Sequence, residues 1–219
     1  MFTTPNLLTM LWASSLDSLY MVSISIAVTI LLGIPLGVVL VVTRPGHIME
    51  TVWLNKILGF VVNFTRSIPF LIFMVFIGPI TKKMVGTSIG PTAVIVPLSL
   101  AAAMLMSRMA ETSLLEVPTG LIEAAQAYGA SKRQIIWHVL LPEARSGLIL
   151  SATTLIITLI GFSAMAGAIG GGGLGDLAIR YGYQRYMPDV MWVCVLLLYV
   201  VVQAIQYTGE FLAKKFSRR

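Results

Sequence analysis

The chain is 219 residues long, 57% hydrophobic and only 11% charged, less than half the roughly 25% charged content of soluble domains. So few ionisable groups exclude an ordinary water-solvated globule and point to a lipid bilayer. The net charge of +6 does not support nucleic-acid binding, because the cations sit in short connectors and no basic face is interleaved with aromatics; it fits cytoplasmic loops beside anionic lipid.

In a bilayer the useful unit is an apolar run of about 20 residues, enough to cross the hydrocarbon core. Five runs separate, at about 19–42, 57–80, 91–107, 147–169 and 190–207, which predicts an all-α membrane protein with five transmembrane helices and a single domain over 1–219. The first run ends at Thr43-Arg44-Pro45-Gly46, where Pro and Gly break a helix. Arg44 is the first cation, so the start lacks the basic segment of a secretory signal and an uncleaved first span is expected. The second run holds Arg66. An ionisable group there is either functional or snorkels, or pairs with a carbonyl freed by Pro69. The lone Cys194 in the fifth run excludes an intrachain disulfide and a cysteine-clustered metal site.

Five spans put the termini on opposite sides, and Lys and Arg concentrate in cytoplasmic loops. With the C-terminus inside, cytoplasmic segments hold ten cations: Arg44, Lys56, Arg108, Lys132, Arg133, Arg145, Lys214, Lys215, Arg218 and Arg219. The outer loops hold four, Lys82, Lys83, Arg180 and Arg185. The tally predicts an outer N-terminus and a cytoplasmic C-terminus.

Between the third and fourth runs lies the only long polar connector, 108–145, and its residues predict two short helices. Thr119 caps a helix through Leu121, Ile122, Ala124, Ala125 and Tyr128, and Gly129 stands where a left-handed residue would stop it. Ser131 with Gln134 forms a capping box for a second helix, with Ile135, Ile136, Val139 and Leu140 on its apolar side. Pro142 suits the first turn of the next membrane helix. The protrusion is then either an amphipathic helix resting on lipid or a docking knob for a partner's groove.

Glu123-Ala124-Ala125, Gly129, and Val139-Leu140-Leu141-Pro142 resemble the EAA motif of binding-protein-dependent ABC importer permeases. Every spacing of that motif holds, with Val139 in place of Ile as the single departure. Arg66-Ser67-Ile68-Pro69-Phe70, the segments 85–90 and 116–124, and Gly172-Gly173-Leu174-Gly175 are further similar to the permease of the methionine importer.

The resemblance implies a type I ABC importer permease fold in the bacterial inner membrane. It implies a homodimer working with two ATPase subunits and a methionine-binding protein or lipoprotein, and import of methionine, in its L- and D-forms, by alternating access. A permease for another amino acid, a secondary carrier and a channel are the alternatives. The coupling element to the ATPase would be Glu123, Ala124, Ala125, Tyr128 and Gly129, with Leu141 and Pro142. Candidates along the substrate path are Arg66, Ser67, Pro69, Met104, Ser163 and Met165. No cofactor is expected in this chain; ATP and Mg would bind the partner ATPase.

Rival motifs lack their context. The run 170–175 satisfies G-x-G-x-x-G, but a dinucleotide site needs a strand before it and a helix after it, and a flexible or tightly packed outer turn is expected instead. The chain has no Gly-Lys pair and so no phosphate-cradling loop of the P-loop type. Gly161-Phe162-Ser163 would need a base for proteolysis, and His47 and His138 both fall in predicted cytoplasmic loops. Small residues there suit close helix packing. No residue cluster has metal-ligand spacing.

Overall fold

The computed structural model describes residues 7–217, so Arg218 and Arg219 of the charge tally lie outside the described residues. Every regular element among the described residues is helical: α1 (Leu7–Val42), α2 (Val52–Ser67), α3 (Phe70–Val85), α4 (Pro91–Leu115), α5 (Thr119–Ala127), α6 (Lys132–Gln134), a π-helical stretch Ile135–Leu140, α7 (Leu141–Gly167), α8 (Gly173–Leu177), a second π-helical stretch Ala178–Tyr183, and α9 (Pro188–Phe216). Four uninterrupted helical runs are long and apolar enough to cross a membrane: α1, α4, Lys132–Gly167 and α9.

The second apolar run departs from its prediction. It is not one helix over 57–80 but the pair α2 and α3, bent by 112°. Pro69 has no N–H to give the Thr65 carbonyl, and it disfavours helical backbone at the residue before it. Ile68 accordingly turns extended, at φ −88° and ψ 125°, and its own N–H takes Thr65 O. Each arm has 16 residues, about 24 Å of helix, short of the ~30 Å hydrocarbon thickness.

The other helices outrun their apolar cores. α1 begins by Leu7, and α9 runs to Phe216. α4 continues to Leu115, so Arg108 is a helical residue and the connector proper is shorter than 108–145. The second short helix of that connector is also not separate, because Lys132–Gly167 runs unbroken into the membrane helix. Pro142 cannot donate to a carbonyl one turn back and would crowd it. The chain widens into π-helix just before it, with the Leu141 N–H reaching Ile136 O, the usual accommodation for such a misfit.

A central core joins α1, α3, α4 and α7 through Met21, Met74, Leu98, Met106, Leu155 and Leu159. Lipid tails are as apolar as these side chains, so close packing, more than expulsion from water, holds the helices together. Gly33 and Gly37, one helical turn apart on α1, admit α4: a Cβ at either would stand 2.7 Å from the Cβ of Met106 or Ala110. Sequence reading passed over this small-xxx-small pair. Gly209 likewise seats α9 on Thr153 of α7.

At one end of α1, Leu7 and Leu11 pack with Leu174, Leu177, Val190 and Cys194. The glycine-rich segment lies here and is tightly packed. Gly90 donates to Gly170 O at 3.0 Å, and the Leu174 N–H meets Ser18 Oγ at 2.9 Å. A Cβ at Gly167 would lie 2.3 Å from Asp176 N, and one at Gly175 would lie 2.3 Å from Ala164 O. It follows α7, not a strand, so the dinucleotide context is missing.

Candidate functional site

At the other end of α1 a second apolar cluster carries α5. Ile122 packs with Val41 and Val42 of α1, Leu114 of α4, Val117, Ile135 and Leu140 of the π-helical stretch, and Ala144 of α7. Through this cluster the short helix, whose main neighbour is the π-helical stretch, shares a core with the ends of α1, α4 and α7. The face turned away from this cluster is open: Glu123 and Ala124 are exposed and Tyr128 is 93% exposed.

The ends of α5 are set by local chemistry. Pro118 occupies the N-cap position and Thr119 is the first helical residue, with no side-chain cap; the expected Thr119 cap is therefore not formed. Proline at the cap leaves the first turn without a side-chain acceptor. At the C-terminus Gly129 adopts φ +78°. Its N–H bonds Gln126 O at 2.9 Å, and the Ala130 N–H bonds Ala125 O at 3.0 Å, a Schellman closure that a side chain with Cβ opposes. Ser131 and Gln134 then form the capping box, Ser131 N–H donating to Gln134 Oε1 at 2.8 Å. Between these elements opens a cleft of about 410 Å³ lined by Tyr128, Gly129, Ala130, Gln134, His138 and Val139. Leu141 and Pro142, which do not line it, are half-buried, Leu141 against the apolar cluster.

Between α2, α4 and the connector after α1 lies a polar cluster that sequence reading missed. Glu111 is 7% exposed on α4. Arg108 Nη1 donates to its Oε2 at 2.5 Å, while Arg108 Nη2 reaches Asn63 Oδ1 at 3.0 Å and Gly59 O at 3.4 Å. Arg44 stands 4.0 Å away on the other carboxylate oxygen. The cluster binds α2 to α4. Only the Arg108–Glu111 spacing, three residues on a helix, was available as a signal. In the nearby connector, burial and then Arg44 push the His47 imidazole below its usual range, favouring the neutral form.

The path candidates do not converge. Arg66 is exposed in the last turn of α2 and makes no ion pair or hydrogen bond with the described residues, so the expected carbonyl partner is absent. Ser67 donates to Asn63 O at 2.8 Å, and Ser163, buried, to Ile160 O at 2.8 Å. Pro69 is exposed at the bend. Phe70 stacks on Phe162 with ring centroids 4.4 Å apart, a contact between the two candidate segments. Met104 is half-buried on α4 and Met165 is 51% exposed near the end of α7.

Apolar helices of spanning length, a broken fifth and an exposed short helix at their shared end define a polytopic membrane protein. The chain belongs to the family of binding-protein-dependent transport system inner membrane components, whose model matches residues 30–219. A relative from Vibrio cholerae, described as a "Probable D-methionine transport system permease protein MetI", is 52% identical over 213 residues, 97% of this chain and 93% of the relative. Among solved structures, one described as inward-facing MetNI methionine ABC transporter is 44% identical, with a TM-score of 0.96 over 99% of this chain and 100% of that one. An amino acid ABC transporter "with histidines" shares the fold at 15% identity and a TM-score of 0.78 over 94% of each chain.

Proposed function

We propose that this chain is the membrane permease of an ATP-driven methionine importer, two copies of it forming the path and two copies of a separate ATPase driving it. Its relative's description and the methionine transporter whose fold it shares at 44% identity support the substrate. The observation that carries the mechanism is α5: an exposed helix, closed by Gly129 and seated through Ile122 in the apolar cluster shared by the ends of α1, α4 and α7. Force applied to Glu123, Ala124, Ala125 and Tyr128 from a cleft in the ATPase would pass through the π-helical stretch into α7 and through the shared apolar cluster to the ends of α1 and α4. Leu141 packs against the same cluster, and Pro142 follows it in the first turn of α7. Closure of the ATPase dimer would then bias the two copies between inward-open and outward-open states.

On this reading the chain itself catalyses nothing and holds no cofactor, ATP and Mg residing in the ATPase; a methionine-binding protein or lipoprotein delivers the substrate from outside. Arg66, Ser67, Pro69, Met104, Ser163 and Met165 remain our candidates along the path between copies. Reconstituted with its ATPase and binding protein, the complex should take up L- and D-methionine only with ATP. Uptake of another amino acid, unaffected by excess methionine, would reassign the substrate.

The charge tally supports an outer N-terminus. After Cys194 is replaced, a cysteine at Ser217 should be shielded from an impermeant thiol reagent in intact cells; rapid labelling would reverse the orientation and remove α5 from the cytoplasm. The matching outer probe, Thr3, lies outside the described residues.

A further inference from the structure

α3 and α4 each carry an internal proline, Pro79 and Pro97. Each removes a backbone hydrogen bond from its helix. Between them lies a groove of about 500 Å³. Its walls include Met74, Gly78 and the two prolines, and one end carries Lys82 and Ser88. Next to it on α3, Ile72, Val75, Phe76 and Ile80 are all more than half exposed, a face suited to hydrocarbon.

The charge at the mouth is unanswered. Residues 51–110 contain no Asp or Glu, and neither Lys82 nor Lys83 forms an ion pair with any described residue. Thr81 cannot serve a ligand, since it is buried and donates to Ile77 O at 3.2 Å. A second copy meeting this face with its own would bring the same acid-free stretch and repel it.

We propose that this groove binds an anionic phospholipid, one acyl chain lying along Met74, Gly78, Pro79 and Pro97 and the phosphate meeting Lys82 and Ser88. An apolar trough ending in a cation and a hydroxyl matches a lipid's apolar tail and charged head. A juxtamembrane lysine near an anionic surface favours binding by about fivefold.

The test is native mass spectrometry of the detergent-solubilised complex of this chain with its ATPase, titrated with phosphatidylglycerol or phosphatidylethanolamine of matched acyl chains. Phosphatidylglycerol should bind about fivefold or more tightly than phosphatidylethanolamine, and Lys82→Gln should remove about fivefold of that preference. Gly78→Leu should weaken both lipids without altering charge. A Cβ at Gly78 meets nothing within 4 Å, so the added side chain fills the groove and not the core, and an unchanged melting temperature checks this. Equal binding of the two lipids, indifference to both substitutions, or displacement by inorganic phosphate would overturn the proposal. So would loss of association between copies in Gly78→Leu, which would make the groove a protein interface.

Discussion

The two ends of α1 use glycine for opposite reasons. At the α5 end, Gly129 sits at φ +78° with nothing within 4 Å of where a Cβ would stand; only backbone geometry demands it. At the far end Gly167 and Gly175 let chain segments touch, and a Cβ there would lie 2.3 Å from backbone atoms. One end is an exposed lever closed by a local motif, the other a joint locked by contact. A substitution at the first should damage what the lever does, and at the second whether the molecule holds together.

The largest effect is expected at the joint. Gly175→Val drives two methyl groups into the Ala164 backbone, which cannot rotate away, at a cost of about 3 kcal/mol or more; recovery of folded protein after detergent extraction should collapse. Gly167→Ala, a single methyl against Asp176 N, should lower the melting temperature markedly while leaving some folded protein. Normal yield and melting for both would mean that the segment packs loosely, and the contrast between the two ends would fall.

At the lever, Gly129→Val pays a left-handed backbone penalty of about 1–2 kcal/mol, confined to the Schellman turn. Membrane level and melting should stay near wild type, while co-purification of the ATPase and ATP-dependent uptake should fall by an order of magnitude. Gly129→Asn sharpens the point, since Asn tolerates the left-handed region; it should keep most activity, and equal loss in both variants would show that more than φ matters there.

The smallest effect on stability belongs to the exposed face of α5. Tyr128→Ala and Glu123→Arg should shift the melting temperature by no more than the ~0.5 kcal/mol usual for surface changes. Both should nevertheless weaken ATPase binding in a pull-down from detergent. Wild-type uptake and ATPase stimulation in both would remove α5 as the transmission element.

What could be read in advance was what is local. Apolar runs of spanning length arise from composition alone, and Gly129 and the Ser131–Gln134 box act within three or four residues, so the closed turn and the second start were legible. Thr119 failed as a cap because Pro118, also in view, already held the position. The bend at Pro69 was not foreseen, since the apolar run 57–80 predicts one helix within which Pro69 merely frees a carbonyl. Just past the bend Phe70 stacks on Phe162, 92 residues further along, a contact that no local pattern announces. The π-helical stretch before Pro142, the Arg108 bonds to Gly59 and Asn63, and the contacts of Gly167 and Gly175 were likewise hidden.

By itself, then, the sequence determined that the chain lives in a bilayer, roughly where it crosses, and that it carries an exposed helix of the EAA pattern, because hydropathy and capping depend on neighbouring residues. Only the tertiary structure decided that the second crossing is broken and that Ile122 seats α5 in an apolar cluster with the ends of α1, α4 and α7. It also decided that the glycine-rich turn is locked against α7. Each of these is a contact between segments far apart in the chain, settled by the shape complementarity of surfaces that exist only once the helices have packed.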